Sequence, residues 1–217
     1  MTDLNGVRLG IVGGTGPQGR GLAWRWARSG LRVVVGSRDA ERARSVAIEV
    51  GDGVSGAAND CAAADADVVV VSVPWSAHPT TLTALEPYTR GKVVIDCVNP
   101  LGFDERGPYP LSVPEGSAAE QAQQLLPRAT VVAAFHHVSA VQLSDPTIVE
   151  IDLDVLVLGD DRAATDLVIA LAETIPGVRG IYAGRLRNAH QVEALAANLI
   201  AVNRRYKVHA GIRVTDV

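Results

Sequence analysis

Val7-Arg8-Leu9-Gly10-Ile11-Val12-Gly13-Gly14-Thr15-Gly16-Pro17-Gln18-Gly19 is the stretch whose reading decides the fold. Residues 7–12 are short, apolar and rich in branched side chains, the composition of a buried strand. The following LAWRWARSG, residues 22–30, belongs to a helix predicted over 17–29. Between strand and helix, Gly14, Gly16 and Gly19 supply G-x-G-x-x-G. That spacing serves a tight turn, a close approach of backbone to a pyrophosphate, and a helix N-terminus whose free N–H groups attract anions. Pro17 fits the first helical position, which has no N–H bond to lose. The stretch therefore predicts an α/β chain of Rossmann type, a doubly wound, mostly parallel sheet with a small C-terminal helical extension.

The rest of the chain repeats the pattern. Strands are expected at 7–12, 31–36, 67–73, 92–98, 130–135, 153–158 and 178–182, and helices near 17–29, 39–50, 77–86, 117–126 and 162–175. The runs 68–71 and 93–95 are apolar without alternation, as in strands covered on both faces. Val192, Leu195, Ala196, Leu199 and Val202 recur at helical spacing within a last long helix over about 187–207. Asn99–Gly116, with four Pro and three Gly, reads as a loop. We expect residues 1–160 to form the dinucleotide-binding domain and 161–217 a small extension completing the sheet and the substrate or dimer surface.

Composition excludes several classes. Of 217 residues, 47% are hydrophobic and 20% charged, which is incompatible with disorder. With 4% aromatic residues and a net charge of -4, nucleic acid is not an expected partner. Apolar runs are far short of the roughly 20 residues that span a bilayer, so no membrane segment is expected. Cys61 and Cys97 cannot make a disulfide framework, and residues 1–14 lack the regions of a signal peptide, so a cytoplasmic location is expected. Charge is uneven: residues 20–44 carry +5, 185–217 carry +4 and 45–184 carry -13. Anionic ligands are therefore expected at the two ends.

The second strand chooses the dinucleotide. An NAD site places a carboxylate at this tip to bond the ribose 2′-hydroxyl. Here the tip reads Gly36-Ser37-Arg38, with Asp39 one or two positions late. Ser37 offers a hydroxyl, Arg38 a planar fork, and Arg42 a second cation one helical turn on. Those are groups for the 2′-phosphate of NADP. The third, fourth and fifth strands end SVPW (72–75), CVNP (97–100) and AFHHVSA (134–140), and strand tips of an open parallel sheet line the ligand crevice.

At these tips the sequence resembles a known family, the NADPH-dependent reductases of coenzyme F420 (F420H2:NADP oxidoreductases). The resemblance runs through GGTGPQGRGLA (13–23), GSRDAERA (36–43), VPW (73–75), FHHVSA (135–140) and GRLRNAHQVEALAANLIAVNR (184–204). It implies that Gly14, Thr15, Gly16, Pro17, Gln18 and Gly19 cradle the pyrophosphate, and that Ser37, Arg38 and Arg42 hold the 2′-phosphate. It further implies that Val73, Trp75, His78, Val98 and Ala140 lie on the cofactor, that His136 and Val138 face the deazaflavin, and that the tail near Ala210 closes over it. A homodimer built with the C-terminal helix is implied as well. The loop departs from the family's usual pattern at His137, where threonine is frequent, and at Ser139, where some members carry proline.

The chemistry so implied is direct hydride transfer between two stacked rings held roughly 3–3.5 Å apart, which needs neither nucleophile nor metal. Other motifs are set aside. Tyr88 and Lys92 have the spacing of a short-chain dehydrogenase dyad, but Gly91 intervenes and Lys92 opens a strand. The adjacent His136 and His137 point to opposite sides of a strand, which is poor metal geometry, so no metal site is expected. Trp24 and Trp26 read as packing. The rival functions are a hydroxyacid or imino-acid dehydrogenase, an NADPH-dependent flavin or ferric reductase, and a non-catalytic NADP-sensing protein.

Overall fold

The computed structural model describes residues 2–217. In chain order the strands are β1 (Arg8–Val12), β2 (Arg32–Ser37), β3 (Val54–Ala58), β4 (Val68–Val71), β5 (Val93–Asp96), β6 (Leu101–Asp104), β7 (Gly107–Pro110), β8 (Thr130–Ala133), β9 (Leu153–Gly159) and β10 (Val178–Gly184). The helices are α1 (Pro17–Arg28), α2 (Ala40–Val50), α3 (Asn59–Asp65), α4 (His78–Thr89), α5 (Ala118–Leu125), α6 (Ala140–Ser144), α7 (Arg162–Glu173) and α8 (Ala189–Tyr206).

Eight strands form one sheet in the order β10-β9-β8-β5-β4-β1-β2-β3, and β6 and β7 form a separate antiparallel pair. The six strands from β3 to β8 run parallel. β9 is antiparallel to β8, and β10 is parallel to β9, so the last two strands are reversed. The order turns back between β1 and β4, the switch point at which an open α/β sheet leaves a crevice at its carboxyl ends.

The apolar strands bury both faces. Leu9 and Ile11 of β1 point into one layer with Trp26 of α1 and Phe135, and Val12 points into the other with Val69, Leu82 and Leu126. All four residues of β4 are buried. Trp26 meets Phe135 edge to face at 5.5 Å, and its indole N–H donates to the Leu171 carbonyl, which ties α1 to α7. Both contacts fit a packing residue.

Two expectations are corrected. Residues 99–116 are not a plain loop: they contain the β6–β7 hairpin, paired Phe103 to Pro108 and closed by Asp104, whose carboxylate accepts the Arg106 and Gly107 N–H groups. Pro108 and Pro110 are tolerated because β7 has a ladder partner on one side only. Residues 51–66, assigned no element from sequence, carry β3 and α3. Elsewhere the expected elements are found, most of the strands with ends shifted or trimmed by a residue or two; α4 extends to Thr89.

Candidate functional site

The glycine turn joins β1 to α1. A Cβ added at Gly19 would lie 2.5 Å from the Gly14 Cα, so helix and turn touch backbone to backbone. At Gly16 the nearest atom to an added Cβ is the Gly13 carbonyl at 3.6 Å, an ordinary contact. Packing thus demands the outer two glycines of the motif, while Gly16 keeps an open side. It is the N-cap of α1, no side chain caps that end, and the first turn holds no acidic residue. The unsatisfied N–H groups and the helix dipole there make a ready anion seat. Thr15 is half-buried and Pro17 exposed beside it. Gln18 points its amide elsewhere, donating to the Phe135 carbonyl at 3.0 Å and tying the turn to the end of β8. Asn59, at the start of α3, holds the turn from below by accepting the Gly13 N–H.

At the tip of β2, Asp39 is spent as the N-cap of α2, accepting from the Glu41 and Arg42 N–H groups. It is therefore removed from ribose recognition. Ser37 is buried, and Arg38 and Arg42 are exposed with no acidic partner among the described residues, whereas Arg44 pairs with Glu41 and Arg20 with Glu49. A cavity of about 800 Å³ opens beside them, lined by Ser37, Arg38, Asn59, Thr80, Thr81 and Tyr88 among others. Asn59 and the α4 threonines were not foreseen, since an isolated amide and hydroxyls on a helix carry no sequence signal. Lys92 sends its ammonium to the Ala63 and Ala64 carbonyls at the end of α3, so it forms no dyad with Tyr88.

The other end of the crevice collects the tips of β4, β5 and β8. Val73 and Trp75 are half-buried there, Val98 is buried, and Ala140 opens α6 half-buried. His136 is 5% exposed and neither ring nitrogen has a partner; the Oδ1 of Asn99 and the Nδ1 of His137 are likewise buried and unpartnered. Asn99 is held in place by its Nδ2, which donates to the His136 carbonyl at 2.8 Å. His137 accepts the Leu156 N–H at its Nε2. Burial pushes both imidazoles down to about 4, with His136 adding to the effect on His137, so both are neutral at physiological pH. Buried polar atoms without partners are costly, and three of these four belong to Asn99 and His136, which the Asn99–His136 bond brings together at the strand tips. Val138, beside them, is buried in the main core. Phe135 takes a positive φ of 64°, an uncommon conformation for a bulky residue, which throws the chain out of the sheet just before His136.

His78, expected on the cofactor, has no exposed surface, and both ring nitrogens are occupied, Nδ1 by Gln121 at 2.8 Å and Nε2 by Asp96 at 2.7 Å. It lies under the strand tips with no surface open to the crevice. Ala210, half-buried, donates its N–H to Asn203, and His209 reaches the Ser139 hydroxyl at 3.4 Å, which brings the tail alongside the His136 loop. The tail is clasped by Asp154, which binds Arg179, Arg213 and the Val214 N–H. Arg25 was also missed: its buried guanidinium donates to the Leu143, Gln142, Val149 and Asp145 carbonyls and so pins α6 to α1. Among the described residues no cluster of metal-ligating side chains occurs and no helix is long and apolar enough to cross a membrane.

The sheet order and the strand–glycine turn–helix unit define the class: a protein of the dinucleotide-binding Rossmann type. Within it, the family profile described as NADP oxidoreductase coenzyme F420-dependent matches residues 8–100. The F420-dependent NADP reductase of Methanothermobacter thermautotrophicus is 41% identical over 97% of this chain and 96% of its own, and that of Methanocaldococcus jannaschii 35% identical over 97% and 99%. The chain belongs to the F420-dependent NADP reductase family. A crystal structure of a candidate F420-dependent NADP-reductase from Arthrobacter sp. FB24 superposes with a TM-score of 0.85 at 27% identity, covering 97% of this chain and all of the other. The metalloreductase STEAP3 of Rattus norvegicus is 31% identical over 89% of this chain but only 37% of its own length.

Proposed function

We propose that this protein transfers hydride between NADP(H) and the deazaflavin coenzyme F420. The observation that carries the reading is the set of unpartnered buried polar atoms on His136 and Asn99, brought together at the strand tips, in a chain belonging to this family. The residues fit both groups. The open side of Gly16 and the uncapped end of α1 accept a pyrophosphate, and Thr15 and the backbone of Pro17 to Gly19 surround it. Ser37 and the two unpaired guanidiniums of Arg38 and Arg42 take a 2′-phosphate. Val73, Trp75, Val98 and Ala140 border the nicotinamide, and His136, neutral, offers an N–H to the carbonyl edge of a deazaflavin. Val138 backs that loop from the core, and Ala210 lies on the tail that closes the far side. The two rings supply the chemistry, a hydride passing between carbon atoms; the protein aligns them and keeps water out. No side chain is asked to act as a nucleophile.

The same reading includes a homodimer in the cytoplasm. Phe103 and Tyr109 of the hairpin and Tyr206 and Val208 at the end of α8 are exposed apolar groups, and the hairpin packs against that helix, so one apolar surface offers itself to a second copy. Both cysteines are free, which suits a reducing compartment. We place the boundary between the NADP-binding part and the extension at residue 160, between β9 and α7.

The similarity to the metalloreductase STEAP3 favours the NADPH-dependent flavin or ferric reductase as the second reading. One experiment separates them: the purified protein is mixed with NADPH and F420 and the absorbance of the oxidised deazaflavin is followed, with FMN and riboflavin as controls. Loss of the F420 signal alone is expected. Equal turnover of flavin, or NADPH binding with no turnover of any acceptor, overturns the proposal.

A further inference from the structure

β5 leaves the sheet at its carboxyl end, and the way it is held beyond the ladder is unusual. The last ladder bonds run from the Cys97 N–H to the Val71 carbonyl and from the Ala134 N–H to the Asp96 carbonyl. At Val98 and Asn99, between the end of β5 and the start of β6, no neighbouring strand supports the chain, yet these two residues sit at the strand tip beside the crevice. Side chains take over. The Oδ1 of Asp96 accepts the Val98 N–H at 2.9 Å, and Asn99 then grips the His136 carbonyl.

Asp96 can do this only if its carboxylate keeps one orientation, and it is buried without exposed surface. Its second oxygen is held by the Nε2 of His78, the first residue of α4. The Nδ1 of His78 is in turn held by Gln121 of α5, and Gln121 donates to Glu115. α5 itself is fastened to α8 by Glu193, whose carboxylate accepts the Ala118 and Ala119 N–H groups at its first turn. Burial opposes a charge on His78, but Asp96 and Gln121 outweigh it and raise its pKa. A buried ionic pair of this kind is weak support for stability, because desolvation consumes most of its Coulombic gain; fixing one geometry is the better account of it.

We propose that His78 and Asp96 are positioning residues for the redox end of the site: through the Val98 N–H and the Asn99–His136 bond they set the strand tips on which the nicotinamide rests. The proposal rests on the reading that NADP(H) occupies this crevice, and it concerns one half of that ligand only. The adenosine end is built on β2, α2, α3 and the face of α4 that carries Thr80, Thr81, Ala84 and Tyr88, and the His78–Asp96–Gln121 hydrogen bonds include none of these residues.

The test uses paired substitutions of nearly equal size. His78→Gln keeps an N–H donor where Nε2 stood and so retains Asp96, whereas His78→Asn keeps a group near Nδ1 and loses Asp96. Binding is measured by titration with NADPH and with adenosine 2′,5′-bisphosphate, which carries the adenosine end alone. We expect His78→Asn to weaken NADPH at least tenfold with the bisphosphate within twofold, and His78→Gln to stay within threefold for both. Asp96→Ala should behave as His78→Asn, and Asp96→Asn, which still offers an oxygen to Val98, should recover most of the loss. Equal weakening of both ligands, the reverse order of Gln and Asn, or unchanged NADPH binding in His78→Asn overturns the proposal. If wild-type protein binds the bisphosphate and NADPH with equal affinity, the underlying placement of the nicotinamide fails instead. These readouts do not require F420 turnover.

Discussion

Acid should unfold this protein through its strand-tip histidines, and a buried glutamate should resist. His136 and His137 have pKa values near 4 in the fold against 6.5 in an open chain. The unfolded chain therefore binds more protons between those limits, so each histidine's contribution to stability is complete above pH 6.5 and is lost as pH falls towards 4. Glu193 works the other way. Burial raises it to about 7 from 4.5, so the folded chain binds the extra proton and stability rises as pH falls through that window. From pH 7 to pH 5, linkage gives a loss of about 1.8 kcal/mol for each histidine and a gain of about 2 kcal/mol from Glu193. His78, whose pKa is raised in the fold, adds stability as pH falls and is common to all three proteins. Relative to the wild type, Glu193→Gln should therefore lose about 2 kcal/mol more over this range, and His136→Asn about 1.8 kcal/mol less. Urea unfolding at the two pH values, analysed with a common m-value, measures all three. Only the slope with pH is compared, so a uniform destabilisation by either substitution does not matter. Equal slopes in the three proteins would refute the assignment of buried neutral histidines and a buried protonated glutamate.

Three further outcomes are expected. Arg38→Ala should weaken NADPH by about 1.5–3 kcal/mol, the scale of a bond to a charged group, and leave NADH nearly unchanged; equal loss for both cofactors would contradict the 2′-phosphate role. Gly16→Ala should change stability by no more than about 0.5 kcal/mol while weakening NADPH more than tenfold, whereas Gly19→Ala, driven against the Gly14 Cα, should cost about 1–3 kcal/mol in folding. A Gly16→Ala protein that binds NADPH normally would show that the open side of the turn is not where the ligand lies. Arg179 and the tail contacts hold the Asp154 carboxyl well below the usual carboxylate range, so Asp154→Ala should free residues 208–217 and speed trypsin cleavage after Arg213 at least tenfold. Unchanged cleavage would mean that the tail is anchored elsewhere.

Most of the parallel sheet was legible because Val68–Val71 and its like have no other stable home, and the glycine turn announces its own geometry. β3 was not: Val54-Ser-Gly-Ala-Ala has one branched residue, and an edge strand needs no apolar run. The hairpin was hidden by its prolines. The reversal of β9 was illegible in principle, since an apolar strand reads alike in either direction and only its partners fix its sense. At the candidate site the sequence points to runs of adjacent residues, whereas contacts assembled from afar, such as Asn59 to Gly13 and Gln18 to Phe135, leave no local signal. Glu193 did leave a trace, because it lies four residues from both Ala189 and Ala197 on the buried face of α8, and an acid on an apolar stripe asks for a partner. Asp96 in Val-Val-Ile-Asp-Cys-Val left another.

The two ends of the crevice follow opposite physics. At the β2 tip the proposed recognition is by exposed cations with no acidic partners among the described residues, strong in attraction but screened by salt and tolerant of small displacements. At the β5 and β8 tips the two loop histidines are neutral, the charge of Asp96 is turned inward onto His78 and the Val98 N–H, and each supporting contact is a directional bond. A hydride moves between carbon atoms over a short distance, so an error of about 1 Å in ring placement is costly, whereas the same error at a phosphate is not. Side chains that bridge separate elements, Gln18 to Phe135, Asn99 to His136 and Arg25 to α6, hold the loops at the end where placement matters most. The net charge of -4 is therefore no obstacle to an anionic dinucleotide. In the proposed reading its phosphates meet the basic stretch 20–44, while Asp96 and Asp154 of the acidic middle are consumed in fixing the strand tips and the tail.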